Sequence, residues 1–169
     1  ISINFTGDEN ATASAIVPLI PIRFLDTTTG GARGVSRFRL PGNVPATEKG
    51  ELRGLLKIHE EFGSQDTLIS NLLMRATTEN VKASARMMSV EQHYSGGNGQ
   101  LSQDFSDQLT NGIFVTEQII SSGERDKSDE LGSLSKQQRV TVNIKSDKEG
   151  KPLRNAPILG AYGITVVDA

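Results

Sequence analysis

Residues 34–64, GVSRFRLPGNVPATEKGELRGLLKIHEEFGS, decide the fold, because the spacing of their apolar side chains changes partway along. Residues 35–40 alternate between two faces, which is typical of a β-strand. Residues 52–62 instead repeat leucine, isoleucine and phenylalanine at helical spacing, and the glycine that follows, Gly63, is a favoured helix end. The stretch therefore predicts a strand followed by an amphipathic helix.

The residues before this stretch predict further strands. Residues 16–25 form a β-prone apolar run that contains Pro18 and Pro21. Because proline cannot donate a hydrogen bond to a β-ladder, we expect this strand to be irregular or to lie at a sheet edge. A turn at Gly30-Gly31 would join it to residues 35–40 as a hairpin. Residues 1–5 also alternate and predict a short strand.

Beyond Gly63 the helical spacing continues. Ser64 is placed to cap a long second helix that extends to about residue 88. Ser89 and Gln92 have the spacing of a capping box, which predicts a break and a fresh short turn. The glycine-rich residues 96–99 predict a loop, followed by a short helix that Asn111-Gly112 closes.

The last third of the chain returns to strands. Alternation and turn residues predict three of them, at residues 113–120, 140–144 and 162–167, with a turn at 147–150. Residues 121–138 are polar, charge-rich and without periodicity, so we expect a mobile loop there.

This order of elements predicts an α+β fold with an antiparallel or mixed β-sheet and a central helical segment. We expect one domain over residues 1–169. Its parts, with approximate limits, are N-terminal strands at 1–41, a helical segment at 47–110 and C-terminal strands at 113–169.

Composition excludes several classes of function. The net charge is -2 and the sequence has no cysteine. Disulfides, thiol nucleophiles, cysteine-based zinc sites and iron–sulfur clusters are therefore excluded. A slightly acidic chain lacks the basic excess of nucleic-acid binders, and we expect no nucleic-acid partner. No apolar run approaches the ~20 residues that span a bilayer.

The candidate catalytic groups are few. The glycine clusters at residues 30–34 and 96–99 lack the lysine and hydroxyl of a nucleotide-binding loop, and turns explain them. His59 has no second histidine one helical turn away, so a metal site is not predicted. His93 could pair with Asp104 or Asp107 in a hydrolase, but no serine lies on a nucleophile elbow. We therefore expect no enzymatic activity, no metal and no cofactor.

Arg33, Arg37 and Arg39 form the densest positive cluster. In a strand, Arg37 and Arg39 share one face, opposite Phe38 and Leu40. A solvated strand face explains the cluster, and so does a surface that contacts an acidic partner or anionic lipid headgroups. These three arginines are the candidate interaction surface.

Three segments resemble the SPFH domain of the stomatin, prohibitin and flotillin superfamily, in its bacterial and phage-like members. The first is FRLP at residues 38–41 with the helix end KIHEEFGS at 57–64. The second is the helical stretch 68–108, which ends in LTNGIF. The third is DKEGKP at 147–152 with LGAYGITVVD at 159–168. The resemblance covers most of the chain from about residue 16 onward, and the long segment 121–138 marks a divergent branch.

The resemblance implies a non-enzymatic, membrane-associated scaffold that forms rings or cages and organises membrane patches or membrane-protein complexes. It implies homo-oligomers in a longer parent protein, a membrane protease as a partner, and a globular domain in the aqueous phase. Neither the family's membrane segment nor its coiled coil lies within this sequence, and the chain begins at Ile1 without methionine. We therefore expect the membrane contact to come from a segment outside this chain.

A second hypothesis is a structural subunit of a virion, a fibre or a secretion machine. The low aromatic content of 5% and the thiol-free, β-rich ends of the chain favour it. A parent that ends near Ala169 and polymerises without lipid would distinguish this hypothesis from the scaffold.

Overall fold

The computed structural model of the protein describes residues 12–42, 45–122 and 138–169. Its contacts form two compact units, a larger one of Ile1–Ile113 with Arg154–Ala169 and a smaller one of Phe114–Leu153. Helices and antiparallel sheets are both present, which confirms the α+β class. The strand predicted at residues 1–5 lies outside the described residues, and so does most of the loop predicted at 121–138.

The larger unit contains most of the secondary structure. In chain order the described elements are β1 (Thr12–Arg23), β2 (Thr29–Arg39), α1 (Gly54–Phe62), α2 (Gln65–Leu68), a π-helical segment (Ile69–Leu73), α3 (Met74–Ala85), α4 (Val90–Gln92), a second π-helical segment (His93–Gly97), α5 (Asn98–Asn111), β3 (Thr116–Ser122), β4 (Gln138–Ile144), a 3-10 helix (Ile158–Tyr162) and β5 (Thr165–Asp168).

The larger unit contains a three-stranded antiparallel sheet with the order β1-β2-β5. The hairpin of β1 and β2 confirms the sequence prediction. The pairing shifts between Val17 and Ile20, so the irregularity expected from Pro18 is confirmed as well. Because β2 pairs on both sides, it is the central strand.

The helix limits follow local sequence signals. Gly63 ends α1 with a φ of 71°, a conformation that glycine adopts readily. The Ser64 hydroxyl accepts a hydrogen bond from the Thr67 N–H at 3.2 Å. Ser89 and Gln92 form a complete capping box. The predicted long helix is confirmed from Gln65 to Ala85, where α2, the first π-helical segment and α3 follow one another without a break.

The core lies between one face of the sheet and the helices. Helix α3 packs on β1 and β2, and α5 packs on α3 and β5. Phe38, Ile58 and Leu73 are fully buried. Gly34 allows the close approach of β2 to α3, because a Cβ atom there would lie 2.8 Å from Thr77 Cγ2.

Polar side chains also lie in this interface. The Ser36 and Thr77 hydroxyls are 2.7 Å apart and both residues are fully buried. Because the Thr77 hydroxyl donates to the Leu73 carbonyl at 2.8 Å, its oxygen is left to accept the Ser36 proton. A second buried bond runs from the Gln108 amide to the Ser84 hydroxyl at 2.9 Å. These buried hydrogen bonds therefore link α3 to β2 and α5 to α3.

Removing one hydroxyl of the first pair is expected to cost stability. Thr77→Val leaves the Ser36 hydroxyl buried without its partner, and we expect a loss of about 1–3 kcal/mol in the free energy of unfolding. Ser36→Ala with Thr77→Val removes both groups, so the double variant should lose less than the sum of the single losses. Urea unfolding followed by far-UV circular dichroism measures all three variants. Strictly additive losses would contradict the pairing.

Two sequence predictions about glycines and turns are wrong. The hairpin turn lies at residues 25–28, and Gly30 and Gly31 belong to β2. The Phe24 N–H donates to the Thr28 carbonyl, and this hydrogen bond closes the turn before the chain reaches Gly30. The loop at residues 96–99 is shorter than expected, because only Ser95 and Gly96 leave helical geometry, and Gly99 lies in the first turn of α5.

The strand limits in the last third also need correction. The first strand begins at Thr116 rather than 113, because the Asn155 N–H donates to the Ile113 carbonyl and the Val115 N–H to the Leu153 carbonyl. Residues 121–122 and 138, assigned to the loop, belong to β3 and β4. The closing strand begins at Thr165, because Tyr162 ends a 3-10 helix and Gly163 follows with a φ of 71°.

The smaller unit is built on an antiparallel hairpin of β3 and β4. Glu117 and Lys145 form a salt bridge across it at 3.9 Å. The predicted turn at residues 147–150 is confirmed, because the Asp147 carboxylate accepts the backbone N–H groups of Glu149 and Lys151 at 2.8 and 2.9 Å.

Candidate functional site: the outer face of the three-stranded sheet

The side of the sheet turned away from the helices carries exposed side chains along β1 and β2. Along β2, buried residues alternate with exposed ones from Arg33 to Arg39, and β1 alternates in the same way from Thr12 to Val17. We call this surface the outer face. Its defining residues are Ile16, Leu19, Arg33, Val35, Arg37 and Arg39.

The three predicted arginines lie together on the outer face. Phe38 and Leu40 are buried on the opposite side, so the predicted division of β2 into two faces is confirmed. Residues two apart on a strand are separated by about 7 Å, which spreads the guanidinium groups of Arg33, Arg37 and Arg39 over roughly 20 Å. They form an extended row rather than a pocket.

One acidic side chain borders this row. Asp168 of β5 lies opposite Arg37 in the ladder, and their side chains form a salt bridge at 3.5 Å. Both side chains are more than half exposed, so the pair contributes little stability. Arg33, Arg39 and the exposed Arg23 of β1 carry further positive charge on the described part of this side of the sheet.

Aliphatic side chains lie between the arginines. Ile16 and Val35 are directly opposite each other in the β1–β2 ladder, and they are 66% and 58% exposed. Leu19, 64% exposed, lies over Gly31, where a Cβ atom would come within 2.8 Å of it. The outer face therefore combines aliphatic and guanidinium groups with polar side chains of β1.

Sequence reasoning missed the aliphatic part of the outer face. It treated residues 16–25 as one apolar run, although the buried positions of β1 are Ala13, Ala15, Val17 and Ile22. Extending the period-2 pattern back to residue 12 would have placed Ile16 on the exposed face, opposite the buried Ala15 and Val17. Leu19 carries no such signal, because the register shift beside Pro18 decides its direction.

The residues of the hydrolase hypothesis do not form a triad. His93 packs against the rings of Phe24 and Tyr94 at 5.3 and 5.7 Å. Its Nδ1 atom is buried without a hydrogen-bond partner within the described ranges, whereas a triad requires this atom to donate to a carboxylate. Asp104 instead accepts a hydrogen bond from Gln100 at 2.7 Å.

Asp107 has a structural partner of its own. Its carboxylate forms a salt bridge with Arg154 at 2.7 Å and accepts a hydrogen bond from Asn111 at 2.8 Å. Burial raises the pKa of Asp107, but the hydrogen bonds and charge of these partners outweigh it, so that its pKa lies below the ordinary value. Arg154 also donates to the Gly112 carbonyl, so Asp107 serves to hold the returning chain on α5.

A cavity of about 400 Å³ lies between the start of α1 and the 3-10 helix. The Tyr162 hydroxyl at its edge donates a hydrogen bond to Glu61, and the Lys57 ammonium lies 5.1 Å from the centre of the Tyr162 ring. The bond to Glu61, then burial and the Glu61 charge, raise the pKa of Tyr162. These contacts tie the C-terminal segment to α1.

Residues 12–42, 45–122 and 138–169 include neither a helix able to span a membrane nor a cluster of metal-binding side chains. No helix in these ranges combines the length and apolar character needed to cross a membrane. Within the same ranges, no three histidine or acidic side chains come close enough to bind a metal ion together. The outer face is the candidate functional surface of the chain.

Comparisons with known proteins add no relative. Protein-family models, curated proteins and solved structures were compared with the chain, and none matches it. The likeness to the SPFH domain therefore rests on the three sequence segments given above.

Proposed function

We propose that this chain is a non-enzymatic, membrane-associated scaffold domain of the SPFH type, which assembles with copies of itself within a longer parent protein. It organises membrane patches or membrane-protein complexes, and a membrane protease is a candidate partner. The observation that carries the proposal is the outer face, because an extended exposed surface is suited to contact rather than to chemistry.

The exposure of the aliphatic residues supports a contact role. Ile16, Leu19 and Val35 each leave more than half of their surface in solvent, and Ile16 and Val35 are direct cross-strand partners. Adjoining exposed apolar side chains commonly mark surfaces that bind a partner or a membrane. Single exposed residues elsewhere would need no such explanation.

The state of the reactive side chains supports the absence of catalysis. Asp107 is paired with Arg154, and Tyr162 is hydrogen-bonded to Glu61. His93 lies between aromatic rings. Function has to be argued from such groups, because a fold alone is compatible with many activities. The arrangement favours a scaffold over the hydrolase hypothesis.

Mass photometry with negative-stain imaging on the detergent-extracted parent protein tests the proposal. We expect the parent protein to fractionate with membranes before extraction. After extraction it should form rings or cages of many subunits. A monodisperse monomer that floats free of membranes would contradict the scaffold. Polymers that form without lipid from a parent ending near Ala169 would instead favour the virion, fibre or secretion subunit.

A further inference from the structure

We propose that the outer face binds an anionic lipid surface, so that the domain lies against the membrane through β1 and β2. The inference rests on the scaffold function proposed above and names the surface that meets the lipid. It adds a second membrane contact to the one expected from a segment outside this chain.

The outer face is rich in positive charge. Besides Arg33, Arg37 and Arg39, the same side of the sheet exposes Arg23 of β1. Among the described residues, Arg37 alone of these four forms a salt bridge, with Asp168 at 3.5 Å. The whole chain has a net charge of -2, so this row is a local departure from the average. Each arginine near an anionic leaflet is attracted to its headgroups.

Aliphatic side chains lie beside the arginines on the outer face. Ile16 and Val35 form a cross-strand pair, and Leu19 lies close by over Gly31. Small aliphatic groups can enter the boundary between headgroups and acyl chains, while arginine stems extend along it and keep the guanidinium groups among phosphates. A sheet face presents both kinds of group in one layer.

The same charges disfavour a second copy in a symmetric contact. If two outer faces met about a twofold axis, the arginines of one copy would approach those of the other. Like charges brought together in such a contact repel each other and oppose the pairing. The charges of this face therefore favour an occupant that carries negative charge.

An acidic protein surface is the rival occupant. Protein interfaces draw most of their affinity from aromatic and arginine anchors in pockets. The six residues that define the outer face include no aromatic side chain, and they form an extended row without a pocket. Lipid headgroups require no matching pocket, which favours a lipid surface.

Vesicle flotation of the 169-residue chain tests the inference. We expect the chain to float with phosphatidylcholine vesicles that contain about 30 mol% phosphatidylglycerol, and not with phosphatidylcholine alone. Raising the ionic strength from about 0.1 M to about 1 M shortens the screening length from about 10 Å to about 3 Å and should release it. Glycerophosphate at millimolar concentration should not compete, because the proposed ligand is a surface of headgroups.

Matched variants locate the contact. Arg33→Gln with Arg39→Gln removes about 2 kcal/mol of attraction, so vesicle binding should weaken about 30-fold. Arg75→Gln with Lys82→Gln removes the same charge from exposed positions of α3 and should change binding less than about twofold. Ile16→Thr with Val35→Thr keeps the charge and should weaken binding about tenfold. Circular dichroism checks that all variants remain folded.

The outcomes separate this inference from the proposed function. Equal binding by wild-type and both outer-face variants would overturn it, and so would flotation that is unaffected by salt. If the chain binds no vesicles while the parent still forms rings, the lipid contact is wrong and the scaffold stands. If the arginine variant instead disrupts the rings without any vesicle binding, the outer face contacts protein.

Discussion

Phe38→Ala is expected to lower the free energy of unfolding of the chain by about 3–5 kcal/mol. Phe38 is fully buried on β2, the central strand of the sheet. It lies opposite Ala13 on β1 and Val166 on β5, so its ring fills the middle of the interface between sheet and helices. Truncation removes this buried surface and leaves a cavity that the neighbouring strands cannot close.

Two further variants control for the strand itself. Phe38→Leu keeps most of the volume and should cost less than about 1.5 kcal/mol. Val35→Ala changes an exposed residue of the same strand and should cost less than about 1 kcal/mol. Urea unfolding followed by far-UV circular dichroism measures all three. Similar losses for Phe38→Ala and Val35→Ala would show that the two faces of β2 are assigned wrongly.

The sequence was sufficient where a structural signal lies within a few residues. The end of α1 at Gly63 and the caps at Ser64 and Ser89 depend on a side chain and a backbone group no more than four residues apart. The alternation of β2 depends on nearest neighbours, so the shared face of Arg37 and Arg39 was predictable. These signals also fixed the α+β class.

The sequence was insufficient where distant segments compete for the same backbone groups. The Ile113 carbonyl accepts the Asn155 N–H, and this bond between residues 42 positions apart keeps Ile113 out of β3. The Ser36–Thr77 hydrogen bond joins a strand to a helix 41 positions away. Neither partner is specified by spacing, because loop closure brings such pairs together only in the folded chain.

The outer face combines both cases. Its arginines were predicted from β2 alone, whereas its aliphatic part required the register that places Ile16 opposite Val35. That register depends on the hairpin turn, which lies at residues 25–28 rather than at Gly30-Gly31. A displaced turn changes every cross-strand pair, so the composition of the outer face could not be predicted before the hairpin was known.

Gly112→Ala is expected to destabilise the larger unit by about 2–5 kcal/mol, from backbone strain and a steric clash together. Gly112 follows α5 with φ 101° and ψ 151°, a region that is essentially restricted to glycine. A Cβ atom there would lie 2.0 Å from the Asn155 carbonyl oxygen. Because this neighbour is backbone, relief requires the chain after Arg154 to move away from α5.

Gly50→Ala is the matched control for this substitution. Gly50 also has a positive φ, 80°, but a Cβ atom there would meet no atom within 4 Å, so the loss should be about 1 kcal/mol. Urea unfolding gives the two losses, and hydrogen exchange locates them. In Gly112→Ala the Asn155 amide, which donates to the Ile113 carbonyl at 2.8 Å, should lose protection, and in Gly50→Ala it should keep it. Equal losses with full protection of Asn155 would mean that the placement of the chain after Arg154 does not depend on this close approach.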